Sequence, residues 1–342
     1  EFGTTPVTDY DGNDPITMGP HNTTPTFTLC QVTDANGCDV TNASGSATIT
    51  VGSVPTSAVL TGGDIICDGE TTPLQVNITG GAPPYEVDID LLGVTANYTS
   101  GDDIPTGIQP VGTYDYNLVS VEDACGAVIS GGDVDGGNPQ QIVVNPIPVI
   151  GATNNAPTLC NNTGTDIDLT TTVSGTIFGW STDDGGGVTW TAGNAPAGGT
   201  LTEGTDVLTI AQTLEHTESS PVSVDYNITS EGPNPTNCTG NTLTRTVVVN
   251  PTAQVNDPAD QVVCNGDGTT AVNFSTLNSG GTTTYDWTND NTGIGLAASG
   301  TGNIASFSAV NNGTAPEVAT ITVTPTFTNG GESCTGPQQT FT

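Results

Sequence analysis

Twice in this chain a run of β-branched residues ends in Asn-Pro: "QQIVVNP" closes at Asn145–Pro146 and "RTVVVNP" at Asn250–Pro251. Proline removes a backbone donor and pushes the residue before it toward extended backbone. Each Asn-Pro therefore marks the place where one strand stops and a new unit starts. "ATITVGSVP" at 47–55 plays the same part earlier. Cutting there leaves a short piece, 1–53, and three longer units, 54–147, 148–251 and 252–342. About a hundred residues suffice for one small sandwich core.

Within the units the hydrophobic period is two. "PLQVNITG" (73–80), "YEVDIDLLG" (85–93), "TYDYNLVSVED" (113–123), "VSVDYNITS" (222–230) and "ATITVTPTFT" (319–328) alternate apolar with polar or small residues, the pattern of half-buried strands. Gly and Pro clusters separate them. No stretch holds a 3.6 period over ten residues. The expected fold is all-β, a tandem series of immunoglobulin-like β-sandwiches.

The cysteines repeat with the units. One lies beside a Gly- or Asn-rich turn near each start: Cys67 in "IICDGE", Cys160 in "LCNNTG" and Cys264 in "VCNGDG". Another lies toward each far end: Cys125, Cys238 and Cys334. Spacing alone does not fix connectivity. One disulfide per repeat is the expectation, Cys67–Cys125, Cys160–Cys238 and Cys264–Cys334, with Cys30–Cys38 closing a hairpin in the first piece. A bridge across about seventy residues is worth about 4 kcal/mol on the chain-entropy model. Paired cysteines in even number point to an oxidising, extracellular compartment. Zinc is disfavoured, because Cys-x-x-Cys is absent and the chain has two histidines, His21 and His216.

Charge excludes further classes. Thirty-six acids face a single base, Arg245, for a net charge of −35. Such a surface repels nucleic acid and anionic membranes and attracts hard cations. No run of 18 apolar residues is present, so membrane insertion is not expected. The abrupt start "EFGTTPVTDYDG" reads as mature or excised secreted material. Without lysine there is no P-loop, Schiff base or Lys–Asn isopeptide staple. His21 lies in a Pro/Thr loop and His216 in "LEHTESS", neither near a nucleophile motif, so no enzyme is expected.

No cofactor is required, and calcium is the candidate cation. "DYDGNDP" places Asp9, Asp11, Asn13 and Asp14 around a glycine turn. That oxygen density suits calcium, but the EF-hand register is missing and an Asx-rich turn competes. "DVDGGN" (133–138) and "TDDGGG" (182–187) share the character. Asp88 and Asp90 alternate onto one strand face, read as solvated. Trp180 and Trp287 read as core residues, and Trp190 as the candidate for an exposed sugar platform. Asn-x-Ser/Thr occurs at Asn22, Asn42, Asn77, Asn97, Asn161, Asn227, Asn237, Asn273 and Asn312, which makes a glycoprotein a competing expectation.

The stretch from "NGDGTTAVNF" to "ATITVTPTF" (265–327) resembles the PKD-like, immunoglobulin-like repeat of giant secreted surface proteins of Bacteroidota, and 148–251 resembles a divergent copy. "CDGETTPLQVNITGGAPPYEV" (67–87) and "PVGTYDYNLVSVEDACG" (110–126) resemble the SprB-type repeat of gliding-motility adhesins, and "QVTDANGCDV" (31–40) resembles the end of another. The resemblance implies spacers and adhesive stalks at the cell surface.

Three readings follow: a structural segment of an extracellular filament or stalk, an adhesin gripping glycans or other cells, and an accessory region of a secreted hydrolase. The first is preferred, with copies of the chain as partners. The final repeat reads as lacking its closing strand at "GPQQTFT". Its open edge near Thr340, Phe341 and Thr342 is then expected to take a strand from the start of a neighbouring copy, near Phe2 and Val7, as pilins do.

Overall fold

The computed structural model describes residues 26–28, 32–40, 44–49, 51–131, 134, 139–193 and 198–342. The calcium candidates Asp9, Asp11, Asn13 and Asp14, together with Phe2, Val7, His21 and Cys30, lie outside them. The described residues are all-β, in immunoglobulin-like sandwiches, and divide into two compact units. Unit 1 holds residues 1–64 and 71–143; unit 2 holds 65–70 and 144–342.

In unit 1, one sheet runs Val128–Ser130, Leu118–Glu122, Tyr85–Ile89, Gly93–Tyr98. Another runs Pro55–Gly62, Pro73–Gly80, Asp103–Pro105. Leu60, Leu74, Val76, Val87, Ile89, Tyr98 and Val121 form the buried interior. The run 113–123, expected as one strand, is two: Gly112–Tyr116 and Leu118–Glu122 belong to different sheets. The chain switches sheets at Asn117, whose backbone N–H and side-chain amide both donate to the Asp90 carboxylate, at 2.5 and 2.7 Å. Asp90 is therefore half of a corner clamp as well as a face residue.

Unit 2 contains two cores. The first lies within residues 150–249. Its larger sheet runs Thr158–Cys160, Leu243–Asn250, Val222–Glu231, Ile177–Asp183, Gly198–Thr202, with the first pair parallel and the rest antiparallel. The facing sheet is Ile150–Asn154, Ile167–Thr171, Thr209–Ile210. Along Val222–Glu231, Val224, Tyr226, Ile228 and Ser230 point inward, the period of two seen in the sequence. The second core lies within 255–341. Its sheet runs Ser299–Thr301, Thr282–Asn289, Ile321–Asn329, Glu332–Thr335, and Gln339–Phe341 also pairs with Ile321–Asn329.

Both cores use the same tryptophan device. Trp180 and Trp287 are buried, as expected, and each sits opposite a glycine on the neighbouring strand: Trp180 against Gly199 and Trp287 against Gly300. A Cβ on Gly199 would lie 2.5 Å from the Trp180 ring, and one on Gly300 would lie 2.3 Å from the Trp287 ring. The indole covers the glycine backbone, and the missing side chain is what lets it lie flat there. Trp190, expected to be exposed, is half-buried against the first of these cores. It offers no open platform for sugar.

Tyr226 sits at the centre of that core and donates from its hydroxyl to Gln212 Oε1 at 2.7 Å. Burial pushes its pKa from the usual 10 up to about 12. The folded chain therefore favours the neutral phenol. The associated stability is whole below pH 10 and is lost as pH rises through about 12.

Two outcomes are expected. Gly199→Ala and Gly300→Ala each lower stability by about 1–3 kcal/mol through overpacking, whereas Gly268→Ala, where an added Cβ meets nothing within 4 Å, changes it little; denaturant titration measures all three. In alkaline titration followed by tyrosinate absorbance and circular dichroism, one phenol ionises with the loss of β structure between pH 10 and 12, and Tyr226→Phe removes that coupled step.

Candidate functional site

The structure overturns the expected cysteine pairing. Cys67 bonds Cys238, and Cys160 bonds Cys334, across sequence separations of 171 and 174 residues. Cys38, Cys125 and Cys264 are exposed free thiols. The expected bridges Cys67–Cys125, Cys160–Cys238 and Cys264–Cys334 do not form. Cys38 is likewise unbridged, and its expected partner Cys30 is outside the described residues.

The reason is strand length. Cys160 stands in register with Asn250, at the end of Leu243–Asn250. Cys238 precedes the start of that strand, in the turn that returns from Val222–Glu231, where Thr239 bridges Glu231. The two ends are separated by seven residues at about 3.3 Å each, or about 23 Å. A disulfide needs Cα atoms within about 7 Å. The two cysteines of one sandwich therefore sit at opposite poles and cannot meet. The next sandwich repeats the arrangement: Cys334 faces Phe327 in the hairpin Ile321–Asn329/Glu332–Thr335, while Gln261, three residues before Cys264, donates its backbone N–H to Thr342 O at 2.9 Å at the other pole.

What results is a junction built twice to one plan, both times within unit 2. At each, a short strand ends in the bridged cysteine: Ile65–Cys67 and Thr158–Cys160. The next residue donates its N–H to the carbonyl of the Asn-Pro asparagine, Asp68 to Asn145 at 2.9 Å and Asn161 to Asn250 at 3.0 Å. That asparagine's amide then reaches the hairpin carrying the partner cysteine. Asn145 Nδ2 donates to Thr236 Oγ1 at 2.8 Å. Asn250 and Asn329 make a reciprocal pair: Asn250 Nδ2 to Asn329 O at 3.1 Å, and Asn329 Nδ2 to Asn250 Oδ1 at 3.0 Å. Asn250 is fully buried. The Asn-Pro that punctuates the sequence is thus a structural clamp, and its role was hidden because its partners lie 79 and 91 residues away.

His216, for which the sequence gives no catalytic expectation, serves the same region. It is buried; its backbone N–H donates to Asn161 Oδ1, and its Nε2 lies 3.1 Å from Val249 O. The Asn161 amide donates to His216 O and Thr252 Oγ1, both at 2.9 Å. This sequon asparagine is spent on packing, so it makes a poor glycan acceptor.

The turn holding Cys125 is also firmly built. The Asp123 carboxylate accepts from the backbone N–H groups of Ala127, Ala82 and Cys125 at 2.9, 3.1 and 2.9 Å. The Ala127 bond leads in holding this carboxyl below the usual carboxylate range. In "TDDGGG" the carboxylates likewise cap their own turn: Asp183 accepts from Gly185 N–H, and Asp184 from Gly186 and Val188 N–H. Among the described residues no group of three or more His, Cys, Asp or Glu side chains is placed to hold a metal ion. Arg245 donates to the carbonyls of Ala152 and Thr244, both at 2.8 Å.

At the far pole of the last sandwich, Thr340 and Phe341 are in a strand and Phe341 fills the core. Thr342 N–H donates to Asp260 Oδ1 at 2.7 Å. The segment Val262–Cys264 forms no strand among the described residues, and Val262 is 97% exposed. It borders an apolar groove of about 330 Å³, lined also by Val310, Val318, Ile321 and Phe341.

Residues 157–253 match the PKD-like domain. No curated protein matches the chain in sequence. Among solved structures, it is similar to the fibronectin(III)-like modules of Clostridium thermocellum CbhA, with 11% identity over 56% of this chain and 95% of that one, at a TM-score of 0.27. It is also similar to the FN1–FN3 domains of chicken CNTN1, with 11% identity over 84% of this chain and 97% of that one, at 0.26. The N-terminal eight Ig domains of Down Syndrome Cell Adhesion Molecule isoform 1.30.30 share 12% identity over 95% of this chain and 44% of that one, at 0.37.

The junctions predict their own perturbation. Cys160→Ser lowers the stability of unit 2 by about 2–5 kcal/mol, the range for losing a long-loop bridge. Asn250→Ala, which removes the buried half of the amide pair and leaves the half-buried Asn329 amide without its partner, costs about 1–3 kcal/mol. Thermal unfolding under oxidising conditions measures both, and reductant should bring the native chain down to the Cys160→Ser value or below.

Proposed function

We propose that this chain is a structural segment of an extracellular filament or cell-surface stalk, made of tandem sandwiches. The observation that carries the reading is the junction built twice within unit 2, in which a disulfide and an asparagine clamp tie a short strand to a distant hairpin. A flexible tether would not need both. Within unit 2 the bridges carry load through covalent bonds as well as strand ladders. Disulfides suit an oxidising, extracellular setting, and no helix among the described residues is long and apolar enough to cross a membrane. The PKD-like match over 157–253 and the SprB-like sequence of 54–147 favour a large surface protein of the Bacteroidota kind. No catalytic role is proposed.

The adhesin reading rests on the apolar groove beside Val262 and Phe341, which has room for a small apolar ligand group. The junctions speak for the structural reading instead, because adhesion does not require rigidity along the whole chain. The high negative charge makes copies repel, so assembly is expected to strengthen with salt or with divalent cations such as calcium.

Electron microscopy of the purified full chain in oxidising buffer tests the proposal. Filaments or end-to-end chains of particles are expected, more abundant at 0.5 M salt than at 0.01 M. Dispersed single molecules at every ionic strength and calcium concentration would sink it.

A further inference from the structure

Two disulfides that follow one another along a chain act differently from two that interlace. Here they interlace. Cys67–Cys238 closes a loop across a sequence separation of 171 residues, and Cys160–Cys334 closes one across 174. Each loop contains one end of the other, and the two share the stretch 160–238. This is a property of covalent connectivity, so it persists when hydrogen-bonded ladders and apolar cores have come apart.

A pull applied before Cys67 and after Cys334 has three covalent routes between those residues. One follows the backbone from 67 to 160 and crosses to 334. A second crosses from 67 to 238 and follows the backbone to 334. The third crosses to 238, runs backward along the chain to 160, and crosses to 334. At about 3.5 Å per residue these routes reach about 330, 340 and 280 Å when fully drawn out, against about 930 Å for the backbone without bridges. The third route is the shortest, and it passes through the stretch that builds most of the core within residues 150–249. It goes taut while the other two are still slack by about 50–60 Å.

Interlacing also changes what the loss of a bridge does. Bridges in series each guard their own loop, so breaking one releases that whole loop. With interlaced bridges, breaking Cys67–Cys238 leaves the first route closed, and breaking Cys160–Cys334 leaves the second. The limit then moves by little more than a twentieth of the unbridged length. Both bridges must open before the backbone between 67 and 334 can run out.

We infer that the interlaced pair makes this chain a tension limiter with a reserve: under overload the sandwiches unravel only to a short covalent stop, and either bridge alone preserves that stop. The inference deepens the filament and stalk reading, and takes from it only the source of the pull. A segment stopped short keeps its unfolded ends close together, which lowers the entropic cost of closing the chain again when the load falls.

The test stretches single molecules of the full chain, with a handle fused at each end and free thiols blocked by N-ethylmaleimide. Residues outside 67–334 extend equally in every sample and cancel. Reducing both bridges before blocking should lengthen the fully extended chain by about 650 Å. Replacing Cys67 and Cys238 together by serine should lengthen it by only about 50 Å, and replacing Cys160 and Cys334 by about 60 Å. The variant with all four replaced should match the reduced chain. Fully extended length does not depend on how stably a variant folds, so weakened sandwiches do not blur the reading. Equal lengths for oxidised and reduced native chain would overturn the inference, as would a gain of about 200 Å or more on losing one bridge, the step expected of bridges in series. Microscopy separates the two claims. Filaments built from chains that lack the stop remove this inference and leave the filament reading; a chain that shows the stop and forms no filaments does the reverse.

Discussion

A disulfide reaches across about 7 Å, and the long strands of these sandwiches hold their two cysteines about three times farther apart. The rest of the architecture follows from that mismatch. Since Cys160 and Cys238 lie at opposite ends of Leu243–Asn250, neither can close its own sandwich. Each bonds a distant cysteine instead, Cys238 to Cys67 and Cys160 to Cys334. Bridges that usually close a single sandwich join cysteines of different repeats here, both pairs within unit 2.

The asparagine of each Asn-Pro makes those links stiff as well as strong. A disulfide alone leaves rotation about several bonds. Asn250, itself buried, adds a reciprocal amide pair with the half-buried Asn329, and Asn145 adds a bond to Thr236. Proline next in sequence ends the strand at the same point, so the turn into the next sandwich and the clamp share one dipeptide. Burial of Asn250 raises the cost of misplacing it, because an unpaired amide there loses its water without gaining a partner.

Hydrogen bonding by short polar side chains substitutes for charge pairing throughout. With one base among 36 acids, salt bridges cannot organise the surface. Carboxylates instead take backbone N–H donors, as Asp123 does three times and Glu203 does from Gly175, or hydroxyls, as Asp168 does from Thr209. These bonds favour the ionised forms and hold the carboxyls of Asp123, Asp168 and Glu203 below their usual range. Stability from such groups is present above the ordinary carboxylate pKa and is lost as pH falls through their lowered values.

The sequence by itself determined the β class, the inward faces of the strands and the recurrence of the sandwiches. Each of these depends on neighbours one or two residues apart, and alternation such as Val224, Tyr226, Ile228 records it directly. It also placed Trp180 and Trp287 in cores. It could not place the break at Asn117, because the clamp to Asp90 spans 27 residues and leaves the alternation of 113–123 intact on both sides. The cysteine partners were beyond reach for the same reason, although the near-equal separations of 171 and 174 residues were a readable hint that within-repeat spacings lack. Which cysteine meets which depends on strand length and on the pole at which each turn emerges, and those are properties of packed sheets in three dimensions. Only the tertiary structure decided that Asn145 and Asn250 are clamps, that Trp190 is half-buried rather than displayed, and that Cys125 and Cys264 face outward unpaired.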